Sequence, residues 1–235
     1  MSTPRGLYIA IDANIGAGKT NAAHALASVA LSRGKRVRVL EEPTNTSRFS
    51  YFLSRYYEDL KSGVHRGAGF AMQLYMLSQR HAQHRLAVEL AWCDGMTVIQ
   101  DRPIHGDVVF ARTARDRGFM SPEEFELYED TYTNMARDLM PMDLFVYLDV
   151  SPEECFARME ARKRPEEEGV PLDYLQALDQ GYKSLIEEMK RRGVKVLTLN
   201  WAEFGPPVDT WKKIEAATEV RDPFSVGLAK HRETP

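Results

Sequence analysis

The sequence predicts an α/β fold of three layers, a five-stranded parallel sheet covered by helices on both faces. Three observations predict it. Short apolar segments at residues 7–13, 36–42, 96–101, 143–149 and 195–200 alternate with longer segments of helical periodicity, as strands joined by helical crossovers do. The first segment runs straight into Ala13-Asn14-Ile15-Gly16-Ala17-Gly18-Lys19-Thr20, a glycine-containing turn that opens onto a helical stretch. Gly34 and Gly193 each stand just past a helical stretch and just before a strand, the place of a C′ glycine.

The helical segments read, in order, at residues 19–33, 48–62, 68–93, 104–118, 121–138, 151–164, 171–192 and 208–220. Ser121-Pro122-Glu123-Glu124 and Ser151-Pro152-Glu153-Glu154 each supply a serine N-cap, a proline at N1 and a glutamate at N3, a strong helix start. There is no internal repeat. We expect one domain over residues 1–221, with the tail at 222–235 lacking any periodicity and therefore poorly ordered or packed as an extended arm. Cys93 and Cys155 show no metal-ligand spacing and are expected as small core residues in a reducing compartment. A net charge of −3 argues against a nucleic-acid polymer as partner. No apolar run is long enough for a membrane span, and only six residues precede the first strand. The expectation is a cytoplasmic protein with no signal or transit segment.

Residues 13–20 carry the first chemical statement. Backbone N–H groups in such a turn converge on phosphate oxygens at the positive end of the helix dipole. Lys19 adds a point charge for the outer phosphates, and the Thr20 hydroxyl is a Mg²⁺ ligand candidate. The first motif position is Ala13 where glycine is usual, which is tolerable if the backbone there keeps φ negative.

In parallel sheets of this kind, ligands lie beyond the carboxyl ends of the strands. The polar residues at those ends are Asp12, Glu41-Glu42-Pro43, Asp101-Arg102-Pro103, Asp149 and Asn200. Phosphoryl transfer to a hydroxyl needs a proton acceptor and cations over the moving phosphoryl. Glu42 is the candidate general base, with Glu41 pointing to the opposite face. Asp101 is the candidate acid near Mg²⁺, and Arg102 the guanidinium that bridges base and phosphate. Arg158, Arg162, Lys163 and Arg164 run into Glu166-Glu167-Glu168-Gly169. Taken alone this is a solvated helix end; the functional reading is a lid over residues 158–169.

Together these residues, with Gln73, Arg80 seven positions later and Asp107, resemble the deoxynucleoside kinase family over about residues 7–205. The resemblance implies a P-loop kinase fold and ATP- and Mg²⁺-dependent phosphorylation of a deoxynucleoside 5′-hydroxyl for nucleotide salvage, in a homodimer. Glu42 matches the family's catalytic base and Arg102 the arginine that orients it, with Lys19 on the transferred phosphate. Asn14, Ile15, Gly16, Ala17, Gly18, Lys19 and Thr20 match its donor-phosphate loop, and Arg158, Arg162 and Arg164 its lid arginines. Thr20 and Asp101 stand where the family places its Mg²⁺ partners. Glu167 matches the lid glutamate that holds the sugar 3′-hydroxyl with a tyrosine, for which Tyr57 is the choice and Tyr56 the alternative. Gln73 matches the glutamine on the base edge. Arg80 and Asp107 match a charged pair of members that accept deoxyadenosine, deoxyguanosine or deoxycytidine, so purine deoxynucleosides, then deoxycytidine, are expected over thymidine. A nucleoside monophosphate kinase and a non-catalytic nucleotide-binding subunit are the competing readings.

Some positions depart from the family pattern. Ser47 stands where a pocket tryptophan is common, leaving Phe49 or Tyr51 to supply that wall, and Met76 and Pro103 replace smaller residues. His81 and His84 read as part of a polar helix face and His105 as helix-start packing.

Overall fold

The computed structural model describes residues 5–44, 46–164, 167 and 169–218. The tail expected to be irregular, and Glu166 and Glu168 of the charge run, lie outside the described residues. The elements run β1 (Tyr8–Asp12), α1 (Lys19–Ser32), β2 (Val37–Leu40), α2 (Ser47–Ser62), α3 (Ala68–Trp92), β3 (Thr97–Asp101), α4 (Ile104–Asp116), α5 (Pro122–Arg137), β4 (Leu144–Asp149), α6 (Pro152–Arg162), α7 (Leu172–Arg191), β5 (Val196–Asn200) and α8 (Pro207–Thr218). Each lies within two residues of its sequence-predicted bounds, the second strand stopping at Leu40. Glu42 therefore stands on the loop beyond it.

All five strands are parallel, in the order β2-β3-β1-β4-β5. β1 is buried along its whole length and β4 as far as Leu148, which is why they read as near-continuous apolar runs rather than alternating ones. Ile9 and Ile11 are fully buried, each contributing roughly 1.5–3 kcal/mol of transfer free energy. α1 packs on α8 and the sheet, while α3, α4 and α7 pack together elsewhere on it. α1 achieves close approach through Ala22, Ala23, Ala27 and Ala30 around Leu26, and Trp211 anchors α8 in the core.

The predicted caps form. The Ser121 hydroxyl accepts from the Glu124 N–H while the Glu124 carboxylate returns a bond to the Ser121 N–H. Ser151 accepts from the Glu154 N–H, and Gly34 and Gly193 are left-handed. Asp59 closes the α2–α3 connection by accepting from the Arg66 and Ala68 N–H groups.

Two expectations fail. Cys155 is buried but Cys93 is exposed, because it caps the C-terminus of α3 rather than facing the sheet. His84 does not lie on a polar face: it is buried, its Nδ1 bonded to the Tyr8 hydroxyl and its Nε2 to the Met140 carbonyl. α3 is flanked by α4, α5 and the sheet, so the side of the helix that looks polar in sequence is partly core.

Candidate active site

At the carboxyl end of the sheet lies a cavity of about 500 Å³, lined from both the phosphate loop and the α2–α3 pair. The loop owes its shape to Gly16 and Gly18, at φ 84° and 90°. Gly16 lies against the Cys155 carbonyl, leaving no space for a Cβ. Ala13 is buried and avoids the positive-φ region, so its methyl is tolerated. Asn14 braces the loop from behind: its amide donates to the Leu175 carbonyl at 2.8 Å and its oxygen accepts from the Ile15 N–H at 2.8 Å. Gly18 caps α1 with no side-chain hydrogen bond, so the first N–H groups of that helix stay open to an anion.

Ile15, Gly16, Gly18, Lys19 and Thr20 line the cavity, whereas Asn14 and Ala17 stand behind it. Lys19 is buried, its ammonium 3.4 Å from the Asn14 carbonyl. Burial and nearby Arg102 lower its pKa. The Thr20 hydroxyl donates to Asp101 at 2.6 Å, and the other Asp101 oxygen is buried without a partner. Burial raises the Asp101 pKa, partly countered by Lys19.

Arg102 is the hub. Its Nε donates to Glu42 at 3.0 Å and its Nη1 to Asp12 at 2.8 Å, and its guanidinium lies 4.7 Å from the Phe110 ring centroid. Its backbone has φ 60°, an uncommon conformation for a non-glycine residue, held here by an N–H bond to the Ile11 carbonyl. Glu42 also meets Arg80. Burial pushes the Glu42 carboxyl up, but Arg102, Arg80 and Lys19 together outweigh it and hold the pKa at about 2. Glu41 points away, to His24 at 2.7 Å.

Arg80 also pairs with Asp107, which accepts from the Tyr128 hydroxyl at 2.9 Å. Asp107 is fully buried behind Arg80 and does not line the cavity; Gln73 and Met76 do. The Gln73 amide makes no hydrogen bond among the described residues, which leaves it for a ligand. Phe49 lines the cavity, while Tyr51 is exposed outside it. Tyr56 and Tyr57 both reach the cavity, but the Tyr56 hydroxyl is committed to Tyr174 at 3.1 Å. Tyr57 is the one left near Glu167 and Arg162, and burial followed by the charge of Tyr174 and Glu167 raises its pKa.

In the region expected as a lid, Arg162 pairs with Glu167, at 2.8 Å through its Nε, and Arg164 lies 3.9 Å from the same carboxylate. All three line the cavity. Arg158 does not. It is pinned to the carbonyls of Ala17, Trp201 and Ala202 and lies 4.6 Å from the Phe204 ring centroid, at the outer side of the phosphate loop. Arg158 and Arg162 both lie within α6, one turn apart, yet they part by their partners: Arg158 is taken by the Ala17, Trp201 and Ala202 carbonyls and Arg162 by Glu167.

The sequence reading overlooked Tyr182, Phe110, Tyr174 and Tyr128. Tyr182 and Tyr128 occupy apolar-periodic positions in their helices, and nothing local marks their hydroxyls as part of the site.

A family model described as deoxynucleoside kinase matches residues 9–220. The deoxyadenosine kinase of Dictyostelium discoideum is 32% identical over 216 residues, covering 91% of this chain and 80% of that protein. The deoxyguanosine kinase of the same organism is 32% identical over 197 residues, covering 84% of this chain and 65% of that protein. The solved structure of deoxyadenosine kinase from M. mycoides with bound dATP superposes with a TM-score of 0.71 at 23% identity, over 89% of this chain and 99% of that one.

Proposed function

Because the chain belongs to the deoxynucleoside kinase family, we propose that it transfers the γ-phosphoryl of ATP to the 5′-hydroxyl of a deoxynucleoside, taking deoxyadenosine, deoxyguanosine or deoxycytidine in preference to thymidine. One observation carries this reading: Glu42 and Arg102, the open phosphate loop, Gln73 and Arg80, which Asp107 backs from behind, meet at one cavity.

Glu42, ionised at working pH, accepts the 5′-hydroxyl proton, and Arg102 fixes the carboxylate and faces the charge that develops on the phosphoryl. Lys19 and the loop N–H groups hold the donor phosphates. Arg162 and Arg164 close on them from the lid, with Arg158 flanking the loop. Glu167 and Tyr57 hold the 3′-hydroxyl. Gln73 and Arg80, backed by Asp107, read the base edge, where an ill-matched base leaves buried polar groups unpaired.

The Thr20 hydroxyl and the Asp101 carboxylate, one oxygen of which has no partner, form an all-oxygen donor set suited to Mg²⁺. Bound there, Mg²⁺ would neutralise charge on the donor phosphates. Residues 1–221 as one domain, a homodimer, and a cytoplasmic role in salvage complete the proposal. No helix among the described residues is long and apolar enough to cross a membrane.

A panel of the four deoxynucleosides and their ribose counterparts, incubated with ATP and Mg²⁺ and monitored for monophosphate, tests this reading. Monophosphate from deoxyadenosine, deoxyguanosine or deoxycytidine is the expected product. Faster turnover of thymidine would overturn the base assignment.

A further inference from the structure

Arg102 is held from two sides, and only one of them is a residue of the proposed reaction. Glu42 takes its Nε. The opposite side is taken by a buried polar cluster that the reaction does not otherwise use. Asp12 Oδ1 accepts from three donors at once: Arg102 Nη1 at 2.8 Å, the Tyr182 hydroxyl at 2.9 Å and the Ala13 N–H at 2.8 Å. Arg102 Nη1 also donates to the Tyr182 oxygen. Asp12 and Tyr182 are both fully buried. Asp12 Oδ2 has no partner and lies so close to Gly106 that a Cβ there would strike it. Three otherwise separate pieces meet at this carboxylate: β1 where it enters the phosphate loop, the α7 helix that follows the lid, and Arg102, whose backbone stands at φ 60°.

Resting on the role proposed for Arg102, we propose that Asp12 and Tyr182 are positioning residues for the transfer step: they lock the Arg102 guanidinium between the phosphate loop and Glu42. A buried arginine with one carboxylate partner can swing about that partner; with partners on Nε and Nη1 its plane is fixed. Fixing it ahead of the reaction matters because a donor aimed at developing charge acts only if it need not reorganise. Ala13 N–H bonding to the same oxygen ties the Arg102 position to the first residue of the phosphate loop. The absent Cβ at Gly106 is the space the carboxylate occupies.

The test compares wild type, Asp12→Asn, Tyr182→Phe, Gly106→Ala, Arg102→Lys and the Asp12→Asn/Arg102→Lys double variant. Steady-state rates are measured with deoxyadenosine, deoxyguanosine and deoxycytidine under ATP and Mg²⁺, and thermal unfolding is followed alongside. Loss of an interaction made in the transition state lowers kcat by roughly 10–100-fold for Asp12→Asn while KM for nucleoside and ATP moves by no more than about threefold. Tyr182→Phe, which removes one oxygen and keeps the ring, and Gly106→Ala, which crowds the carboxylate, should lower kcat in the same way. In the Arg102→Lys background Asp12→Asn should cost nothing further, because residues acting as a unit are non-additive. A general structural role gives equal losses in both backgrounds and overturns the proposal. So does a Tyr182→Phe enzyme with wild-type kcat, which remains decisive even if Asp12→Asn does not fold. If Arg102→Lys itself leaves kcat unchanged, the role proposed for Arg102 fails instead, and an inactive wild type would overturn the kinase assignment above it.

Discussion

Arg80 forms an ion pair with Glu42 while also pairing with Asp107, so one guanidinium joins the proposed base pocket to the proposed proton acceptor. Its charge is part of what holds Glu42 at about 2, after Arg102 and against the burial that would push the carboxyl up. Replacing Arg80 by methionine removes that contribution and leaves Arg102 and Lys19. The acid limb of the kcat/KM profile should then move to higher pH in Arg80→Met, followed at saturating ATP from pH 8 down to about 2, where the wild-type carboxyl titrates. A limb that stays in place would show that Arg80 has no hold on Glu42.

Glu42 itself should dominate the chemistry. Glu42→Gln keeps the size and the contact with Arg102 but cannot take a proton, so kcat should fall by roughly 10²–10⁴. Single-turnover rates after rapid mixing check this without interference from product release. A loss of less than about tenfold would place the proton acceptor elsewhere.

Base preference should follow the pair behind the pocket. Asp107 is buried and meets the cavity only through Arg80. Removing the aspartate alone leaves the buried Arg80 guanidinium in place and paired with Glu42, so the informative variant is Arg80→Met with Asp107→Ala. In it the ratio of kcat/KM for thymidine over deoxyadenosine should rise by roughly 10-fold or more, because the penalty for leaving polar groups unpaired disappears with them. Competition between the two nucleosides in one reaction measures that ratio directly. An unchanged ratio would remove Arg80 and Asp107 from base discrimination.

The parts of the site that could be read without coordinates share one property, a short distance along the chain. Lys19 and Thr20 sit at fixed offsets from two glycines, Asp101 and Arg102 are adjacent, and Gln73 and Arg80 are two turns apart on one helix. The central strands β1 and β4 were legible from composition, since strands buried on both faces are mostly apolar. Tyr182 was not legible, because its hydroxyl meets Asp12 across 170 positions and a tyrosine in an apolar helical stripe looks like any other core residue. Arg158 stands apart from Arg162 because helical spacing fixes the face two residues share and says nothing of what packs against it, here the Ala17, Trp201 and Ala202 carbonyls. His84 failed in the same way: its periodicity was read without knowing that the neighbouring helices cover that side.

Acid sensitivity should trace to His84, buried on α3, and His105, in the first turn of α4. Burial, with His84 and Arg192 adding to it, lowers the His105 pKa to about 3, and His84 is lowered by burial as well. The unfolded chain binds a proton at His105 near pH 6.5, whereas the folded chain resists protonation until about pH 3. Between those values the unfolded state holds more protons, so folding stability from this group is full above pH 6.5 and is lost as the pH falls. The His105 ring also has a buried Nδ1 without a partner, so His105→Leu removes an unsatisfied polar atom as well as the titration. Urea unfolding at pH 7 and pH 4.5 should show His105→Leu losing less stability between the two than wild type does, by an amount on the order of 1 kcal/mol. Equal losses in the two proteins would mean that His105 is already protonated in the folded state at pH 4.5, and that burial does not hold it neutral.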